Sequence, residues 1–249
     1  MTRATDAKSE FDAAGSGRYW DEWNREWRFR QRPDEFMQRQ LAAAVAAARG
    51  ARLENARILG IGCGTGWLEE GLLTFGEVWG TDLSEAAIEE GRRRHPHVKL
   101  RCCDFLSADL PGPFDLIVSA DSLVPMADHA RCMQRVAELL RPGGTFLLMT
   151  QNPGIWARRS AHKRVSDSVP HADPKEWPDT RRIRELLRPR FEIESLTTID
   201  PGGDMGVLWW VENAFVSGLA RAVIGAYRWR RLLELAGVGR EIIVIARRR

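Results

Sequence analysis

The chain has 249 residues and a formal net charge of +3, a length that suits one large domain and can bury a full core. Apolar residues make up 44% and charged residues 29% of the sequence, which excludes wholesale disorder. The basic excess is too small to predict a polyanionic partner. A globular protein without a dominant charge is therefore expected.

The cysteines and the N-terminus bear on the compartment. The four cysteines show no CxxC spacing, which predicts reduced thiols and a cytoplasmic location. The first twelve residues carry charges but no apolar core, so no signal peptide is predicted. The most apolar stretch, residues 205–229, is interrupted by Glu212, Asn213, Arg221 and Arg228. It indicates an amphipathic helix rather than a membrane span, and contact with a membrane, a partner or the core stays open.

The first part of the chain is predicted to be helical. Residues 19–32 carry Trp20, Trp23 and Trp27 at helical spacing, and Pro33 ends this pattern. An Ala-rich helix is predicted over residues 36–49. The three indoles share one helix face, which has to be covered by something. We expect this N-terminal segment, residues 1–50, to form a helical lid, although permanent packing on the core is the alternative.

Short apolar runs then alternate with helical patterns. The predicted strands are residues 56–61, 77–81, 98–102, 114–119 and 145–150. The predicted helices are residues 67–75, 84–94 and 128–140. Ser84 is the N-cap of the second helix, and Pro142-Gly143-Gly144 is the stop signal of the third. This alternation predicts a doubly wound α/β fold with a mostly parallel sheet covered on both faces.

The rest of the chain departs from this rhythm. Residues 151–177 are rich in proline and charge and are predicted to form an insertion. Two further strands, 191–198 and 241–246, flank an apolar helical segment, 206–236. We expect a single domain over 1–249, with a cofactor-binding half at 51–150 and a helical cap with substrate-side elements at 151–236.

The strongest motif is a glycine-rich turn between a predicted strand and a predicted helix. It contains Gly60, Gly62, Gly64 and Gly66, and Asp82 follows at the end of the second strand, 20 residues after Gly62. Glycines permit positive φ and a close approach of the backbone to a ligand. A carboxylate at that strand end can accept both hydroxyls of a ribose. Because the spacing is GxGxG rather than GxGxxG, a dinucleotide pyrophosphate site, and with it a nicotinamide oxidoreductase, is disfavoured.

These motifs resemble those of the class I S-adenosylmethionine-dependent methyltransferases. The resemblance rests on the GxGxG loop, Asp82, Cys103-Asp104-Phe105 after the third strand, residues 114–119 as the fourth strand, and residues 140–146 as the turn into the fifth. It covers about residues 55–152 and implies a Rossmann-like methyltransferase fold with seven strands. A weaker similarity to ubiquinone-type O-methyltransferases and to methyltransferases of secondary metabolism rests on residues 11–21 and 150–152.

The resemblance implies a binding site for S-adenosyl-L-methionine. Its residues would be Gly62, Cys63, Gly64 and Gly66 under the methionine part, Asp82 at the ribose, Leu83 and Phe105 at the adenine, Asp104 at the adenine amino group, and Ser119 at the sulfonium. The alternative is that Asp104 forms a turn and Phe105 belongs to the core. The sequence departs from the family at Gly60, where many members carry an acidic residue. This departure implies a lost polar contact, which either lowers the affinity or is made good by another residue.

Methyl transfer from a sulfonium needs alignment and exclusion of water more than it needs a catalytic apparatus. A hydroxyl nucleophile gains from a base, and His129 and Asp121 are the candidates for that role. The alternative is that each of them is a surface residue without a catalytic role. No set of metal ligands is predicted, so the reaction is expected to be metal-independent.

Aromatic side chains suggest the kind of substrate. The residues expected to contact it are Tyr19, Trp20, Trp23, Trp27, Trp156 and Trp209. Indole rings provide flat apolar walls for an aromatic molecule or a cationic sulfonium, although they can instead pack a cap against the sheet. The sequence therefore predicts methylation of a small, aromatic molecule at oxygen, nitrogen or carbon.

Other functions stay open as alternatives. A nucleic-acid or protein methyltransferase often has an Asn-Pro-Pro-aromatic turn after the fourth strand, whereas this chain has Ser119-Ala120-Asp121-Ser122. No RNA-binding module is recognisable, although five arginines between residues 181 and 190 form a possible phosphate patch. A non-catalytic protein that keeps the fold and contacts a membrane surface is a third possibility. The oligomeric state is not indicated.

Overall fold

Seven strands form one sheet in the computed structural model, which describes residues 13–26, 28–30, 33–126, 128–153, 177–201, 218–219, 222–235, 237 and 239–249. The strands are β1 (Ala56–Ile61), β2 (Gly76–Asp82), β3 (Lys99–Cys102), β4 (Phe114–Ala120), β5 (Leu140–Gln151), β6 (Phe191–Pro201) and β7 (Gly239–Arg248). Their order across the sheet is β3-β2-β1-β4-β5-β7-β6. The predicted doubly wound α/β fold is confirmed.

Seven α-helices are assigned within the described ranges. They are α1 (Ala13–Glu26), α2 (Glu35–Gly50), α3 (Trp67–Glu70), α4 (Glu85–Arg94), α5 (His129–Leu139), α6 (Thr180–Leu187) and α7 (Ala226–Leu235). Side-chain caps begin three of them, because Asp34, Ser84 and Asp179 accept hydrogen bonds from backbone amides in the first turn. The N-cap predicted at Ser84 is therefore confirmed.

The chain divides into two compact units. The first unit comprises residues up to 120 together with 135–145. In it β1 pairs in parallel with β2 and with β4, and β2 pairs in parallel with β3. Gly60 lies opposite Gly80 on one side and Val118 on the other. Nearly every residue of β1 is buried, as expected for a central strand of a parallel sheet.

The second unit comprises residues 121–134 and 146–249. Here β6 and β7 pair antiparallel, with an irregularity between Ile193 and Ser195. Phe146 packs against Phe191 with 5.8 Å between the ring centroids, and both side chains are fully buried. A buried pair of aromatic rings thus joins β5 to β6.

Helix α6 has no counterpart among the predicted elements, and three predicted elements differ in their bounds. Helix α1 begins at Ala13 rather than residue 19 and ends at Glu26, because two alanines extend its start. Helix α3 stops at Glu70, where Gly71 is its C-cap, and a 3-10 helix follows at Leu73–Phe75. Strand β5 begins at Leu140, so Pro142-Gly143-Gly144 is not a turn between helix and strand. Gly143 accommodates the segment with a φ of 71°.

Candidate functional site

The glycine loop leaves β1 in a left-handed conformation. Gly62, Gly64 and Gly66 have φ values of 62°, 55° and 79°, which side chains with a Cβ rarely adopt. A Cβ added at Gly64 would meet no atom within 4 Å. The loop therefore presents open backbone at Gly64, immediately before the N-terminus of α3.

Asp82 joins this loop to the end of β2. Its Oδ2 accepts a hydrogen bond from the amide of Gly64 at 2.8 Å, and its Oδ1 accepts one from the amide of Ser84 at 2.9 Å. Burial raises the pKa of Asp82, while these amides and that of Leu83 oppose the increase. Each carboxylate oxygen has a second lone pair, so Asp82 can still accept hydroxyl donors from a ligand.

Cys63 is the residue of the loop between Gly62 and Gly64. Its amide donates to the carbonyl of Thr81 at 3.0 Å, which ties the loop to β2 a second time. Burial, with Glu69 and Asp82 nearby, raises the pKa of the Cys63 thiol well above its usual value. The thiol is therefore protonated at neutral pH and is not a nucleophile.

Helix α1 lies against the connection between β2 and α4. A Cβ added at Gly17 would come within 3.1 Å of the carbonyl oxygen of Leu83, so backbone meets backbone there. Asp21 accepts hydrogen bonds from the Ser84 hydroxyl at 2.7 Å and from the Ala86 amide at 3.0 Å. A side chain of α1 thus adds a second cap to the N-terminus of α4.

The aromatic residues of α1 contact one another. Tyr19 and Trp20 pack edge to face with 5.2 Å between centroids, and Trp20 and Trp23 do so with 5.7 Å. All three are only half-buried, whereas Asn24 is 4% exposed. The covering of the indole face therefore stays a prediction, and α1 also packs through Gly17, Asp21 and Asn24. Trp27, Trp156 and Trp209 lie outside the described residues.

Asp104 and Phe105 follow β3. The carboxylate of Asp104 accepts from the amide of Leu106 at 3.0 Å and from the hydroxyl of Ser107 at 2.8 Å. The Phe105 side chain is 5% exposed. Both residues thus have the structural roles given above as the alternative, and a role toward adenine stays a prediction.

Ser119 lies next to the start of the glycine loop. It pairs with Ile61, the last residue of β1, in the parallel register of β1 and β4. Its side chain is 1% exposed. The predicted contact of Ser119 with a sulfonium stays a prediction.

His129 and Asp121 both belong to the second unit. The imidazole of His129 hydrogen bonds to the backbone of Val124 and Leu123, and burial lowers its pKa. Its Nε2 is buried and has no hydrogen-bond partner in the described part of the chain. Asp121 has a φ of 56°, which is uncommon for a residue other than glycine, and its amide donates to Met149.

Sequence reasoning missed one acidic residue beside the loop. Glu69, in α3, is 4% exposed, and burial raises its pKa to about 8. Its Oε2 has no partner in the described residues. Two features of the sequence could have indicated a role for Glu69. Gly60 stands where many similar proteins carry an acidic residue, and the first turn of the next helix contains two glutamates, Glu69 and Glu70.

The described residues contain neither a cluster of metal ligands nor a membrane-spanning helix. Within the described ranges, no group of three or more His, Cys, Asp or Glu is arranged to hold a metal ion. No helix in the same ranges is long and apolar enough to cross a membrane.

Comparison with known proteins agrees with these features. Residues 58–144 match a family model described as "Methyltransferase domain". The chain is 33% identical over 113 residues to a "Ubiquinone biosynthesis O-methyltransferase" of Xanthomonas campestris pv. campestris (strain B100), covering 43% of this chain and 47% of that protein. It is 31% identical over 152 residues to the protein of that name from Alkalilimnicola ehrlichii, covering 58% of each. The matches thus span about half the length of these relatives.

Solved structures extend the likeness over most of the chain. The N-methyltransferase NodS from Bradyrhizobium japonicum, in complex with S-adenosyl-L-homocysteine, has a TM-score of 0.61 at 16% identity and covers 95% of this chain and 98% of its own. An S-adenosylmethionine-dependent methyltransferase from Mesorhizobium loti has a TM-score of 0.57 at 22% identity and covers 83% of this chain and 98% of its own. At such identities the likeness concerns the fold.

The order of the strands and the likeness to solved structures show that the chain has the Rossmann-like methyltransferase fold. Residues 58–144 match a methyltransferase domain, and the curated relatives named above, of which the chain spans about half, are methyltransferases.

Proposed function

We propose that this chain is an S-adenosylmethionine-dependent methyltransferase that acts on a small, aromatic molecule. The observation that carries the proposal is the hydrogen bond between the Asp82 carboxylate and the Gly64 amide. It holds a carboxylate beside an open backbone loop, which supports the binding of ribose hydroxyls there. The match of residues 58–144 to a methyltransferase domain supports the same reading.

The residues present fit this cofactor. Gly62, Gly64 and Gly66 leave the loop free of side chains, and Asp82 keeps lone pairs for hydroxyl donors. Leu83, at the following position, is half-buried and has an apolar side chain for an adenine ring. We assign the methionine part to the glycine loop and the ribose to Asp82.

The bound cofactor supplies an electrophilic methyl group on a sulfonium. The residues of the chain have to align a nucleophile with that methyl group and exclude water, which supplies much of the rate enhancement in a direct displacement. No Lewis acid is required for this step, so we propose a metal-independent reaction. S-Adenosyl-L-homocysteine is the product that should then compete with the cofactor.

The aromatic cluster of α1 supports the proposed substrate class. Tyr19, Trp20 and Trp23 are half-exposed and mutually packed, which suits a flat apolar molecule. The relatives named for ubiquinone biosynthesis are O-methyltransferases, and we favour oxygen as the acceptor over nitrogen or carbon. For a hydroxyl acceptor, His129 is the proposed base, because its buried Nε2 has a free lone pair. Asp121 is proposed as a polar residue at the same step.

The proposal extends to the compartment and pathway. All four cysteines are free thiols, which supports a reducing, cytoplasmic environment. A role in secondary metabolism is proposed with the aromatic substrate.

A binding and turnover experiment tests the proposal. Calorimetry should detect binding of S-adenosyl-L-homocysteine and no binding of NAD. Incubation with S-adenosylmethionine and a panel of phenols, aromatic amines and activated aromatic carbons should yield a product heavier by one methylene unit in mass spectrometry. Tight NAD binding would contradict the cofactor class, whereas cofactor binding with no methylated product would contradict the substrate class.

A further inference from the structure

Glu69 is a buried carboxyl group that the roles given so far do not use. It lies in the single turn of α3, directly after the glycine loop, and is 4% exposed. Its Oε2 has no hydrogen-bond partner within the described ranges. Burying a hydrogen-bond acceptor that has no donor destabilises the folded protein. A ligand that donates a hydrogen bond to Oε2 of Glu69 would remove this cost.

The missing side chain at Gly60 makes room for this carboxyl group. A Cβ built on Gly60 would overlap Oε1 of Glu69 and would lie 2.6 Å from its Cδ and 2.8 Å from its Cγ. Gly60 is the residue before the last one of β1, between Gly80 and Val118 of the neighbouring strands. The Glu69 carboxyl therefore occupies the space that a side chain from β1 would fill at the base of the loop.

The surroundings of Glu69 favour a cation. Burial raises the pKa of Glu69 most and Asp82 raises it further, whereas the backbone amide of Glu69 and Arg28 lower it. Glu69 in turn raises the pKa of Cys63. Two carboxyl groups and a thiol thus face one another here, with the Arg28 charge opposing them. A ligand ammonium group would both satisfy Oε2 and stabilise the ionised form.

We propose that Glu69 binds the α-ammonium group of the cofactor's amino-acid portion, with the acidic group supplied from α3 rather than from β1. The proposal rests on the proposed function, because it requires S-adenosylmethionine in the loop. The amino-acid portion is the part assigned to Gly62 and Gly64, which lie between Gly60 and α3 in the chain. The Glu69 carboxyl group is neutral when the site is empty and ionised when the cofactor is bound, so binding should release a proton.

Two ligands distinguish a contact between Glu69 and the ammonium group from a general effect of Glu69 on the cofactor site. S-Adenosyl-L-homocysteine carries the amino-acid portion without the sulfonium charge, and 5′-methylthioadenosine lacks the amino-acid portion. In calorimetry, Glu69→Gln should weaken S-adenosyl-L-homocysteine binding about tenfold or more, the effect of losing a charged hydrogen bond. The affinity for 5′-methylthioadenosine should change less than about twofold, well below the effect of such a bond.

Glu70→Gln is the matched control. It makes the same change at the next residue of α3, where the carboxylate lies 2.9 Å from Nδ1 of His95, and it should leave both affinities unchanged. Equal losses for the two ligands in Glu69→Gln would overturn the proposal, and so would an unchanged affinity for S-adenosyl-L-homocysteine. Failure of the wild-type protein to bind either ligand would instead refute the proposed function.

A reciprocal exchange tests the shared space. Gly60→Asp combined with Glu69→Ala moves the acid from α3 back to β1 and removes the overlap. This double variant should bind S-adenosyl-L-homocysteine at least about fivefold more tightly than Glu69→Ala alone, since it regains most of a charged hydrogen bond. Thermal unfolding followed by circular dichroism checks that both variants fold. A folded double variant that binds no better than Glu69→Ala would overturn the proposal.

Discussion

The amide of Gly64 donates to Oδ2 of Asp82 across 2.8 Å, although 18 residues separate them in the chain. The bond fixes the glycine loop after β1 to the end of β2 and leaves the carboxylate with free lone pairs. Positioning of the loop and the proposed recognition of a ribose thereby depend on one side chain.

Asp82→Ala should weaken S-adenosyl-L-homocysteine binding by roughly 1.5–3 kcal/mol, because two ribose hydroxyls lose a charged acceptor. Binding of 5′-methylthioadenosine should fall by a similar factor, since it carries the same ribose. Calorimetry measures both. Asp109→Ala, an exposed carboxylate in the same unit, is the control. Unchanged affinities in Asp82→Ala would remove Asp82 from the site.

Glu69→Gln should make the ligand-free protein more resistant to unfolding at high pH. Burial raises the pKa of Glu69 from 4.5 to about 8, so folding favours the protonated form and the wild-type protein loses stability as the pH rises through this window. Glutamine resembles the protonated form. In urea unfolding, the advantage of the variant should grow between pH 4.5 and 8 and stay constant above it. A difference that does not depend on pH would contradict the raised pKa.

Asp21→Ala should loosen α1 and remove one cap from α4. The loss of two hydrogen bonds to Ser84 and Ala86 should cost about 1 kcal/mol of unfolding free energy, as for other N-caps. Thermal unfolding measures this, with Glu22→Ala, an exposed neighbour on α1, as the control. Equal melting temperatures for the two variants would mean that Asp21 contributes nothing to docking.

Removing residues 1–32 should leave a folded protein that binds S-adenosyl-L-homocysteine but has lost most of its turnover, because the proposed lid excludes water and contacts the substrate. Circular dichroism, calorimetry and the methylation assay give the three readouts. A truncated protein that fails to fold would make α1 a core element. Normal turnover would contradict the lid.

His129→Ala should reduce turnover more than cofactor affinity. Burial lowers the pKa of His129 below 6.5, so its neutral form is available at neutral pH and turnover should fall only at lower pH. The variant should lose this acid limb of the pH–rate profile. His97→Ala, an exposed histidine, should keep it. An unchanged profile in His129→Ala would contradict a role as base.

Turnover should also survive excess EDTA, because aligning a sulfonium with a nucleophile needs no Lewis acid. The assay compares chelated and untreated protein. Loss of activity that magnesium restores would reveal a metal requirement.

Local patterns in the sequence were sufficient to predict the sheet. Each predicted strand overlaps an observed one, because central strands such as β1 and β4 are continuous apolar runs and the others also carry short apolar stretches. Ser84 precedes its helix because a hydroxyl can cap the first turn. The role of Asp82 as a link to Gly64 was not predictable, since it depends on where two strand ends meet.

Glu69 was missed for a related reason. Its burial depends on the absence of a side chain on β1, which is a tertiary relationship rather than a local pattern. Helix α6 was also missed, because its arginine-rich sequence reads as a surface patch, whereas Ile183 and Leu187 are buried. The docking of α1 through Gly17 and Asp21 was not predicted either, because it depends on the position of the connection between β2 and α4.

The backbone contact at Gly17 separates the placement of α1 from the surface that α1 presents. Gly17 and Asp21 hold the helix through main-chain and capping interactions, whereas Tyr19, Trp20 and Trp23 stay half-exposed. The aromatic positions can therefore vary without moving the helix. The proposed selectivity for a substrate and the docking of the helix thus belong to different residues of the same short segment, so one can evolve or be redesigned without the other.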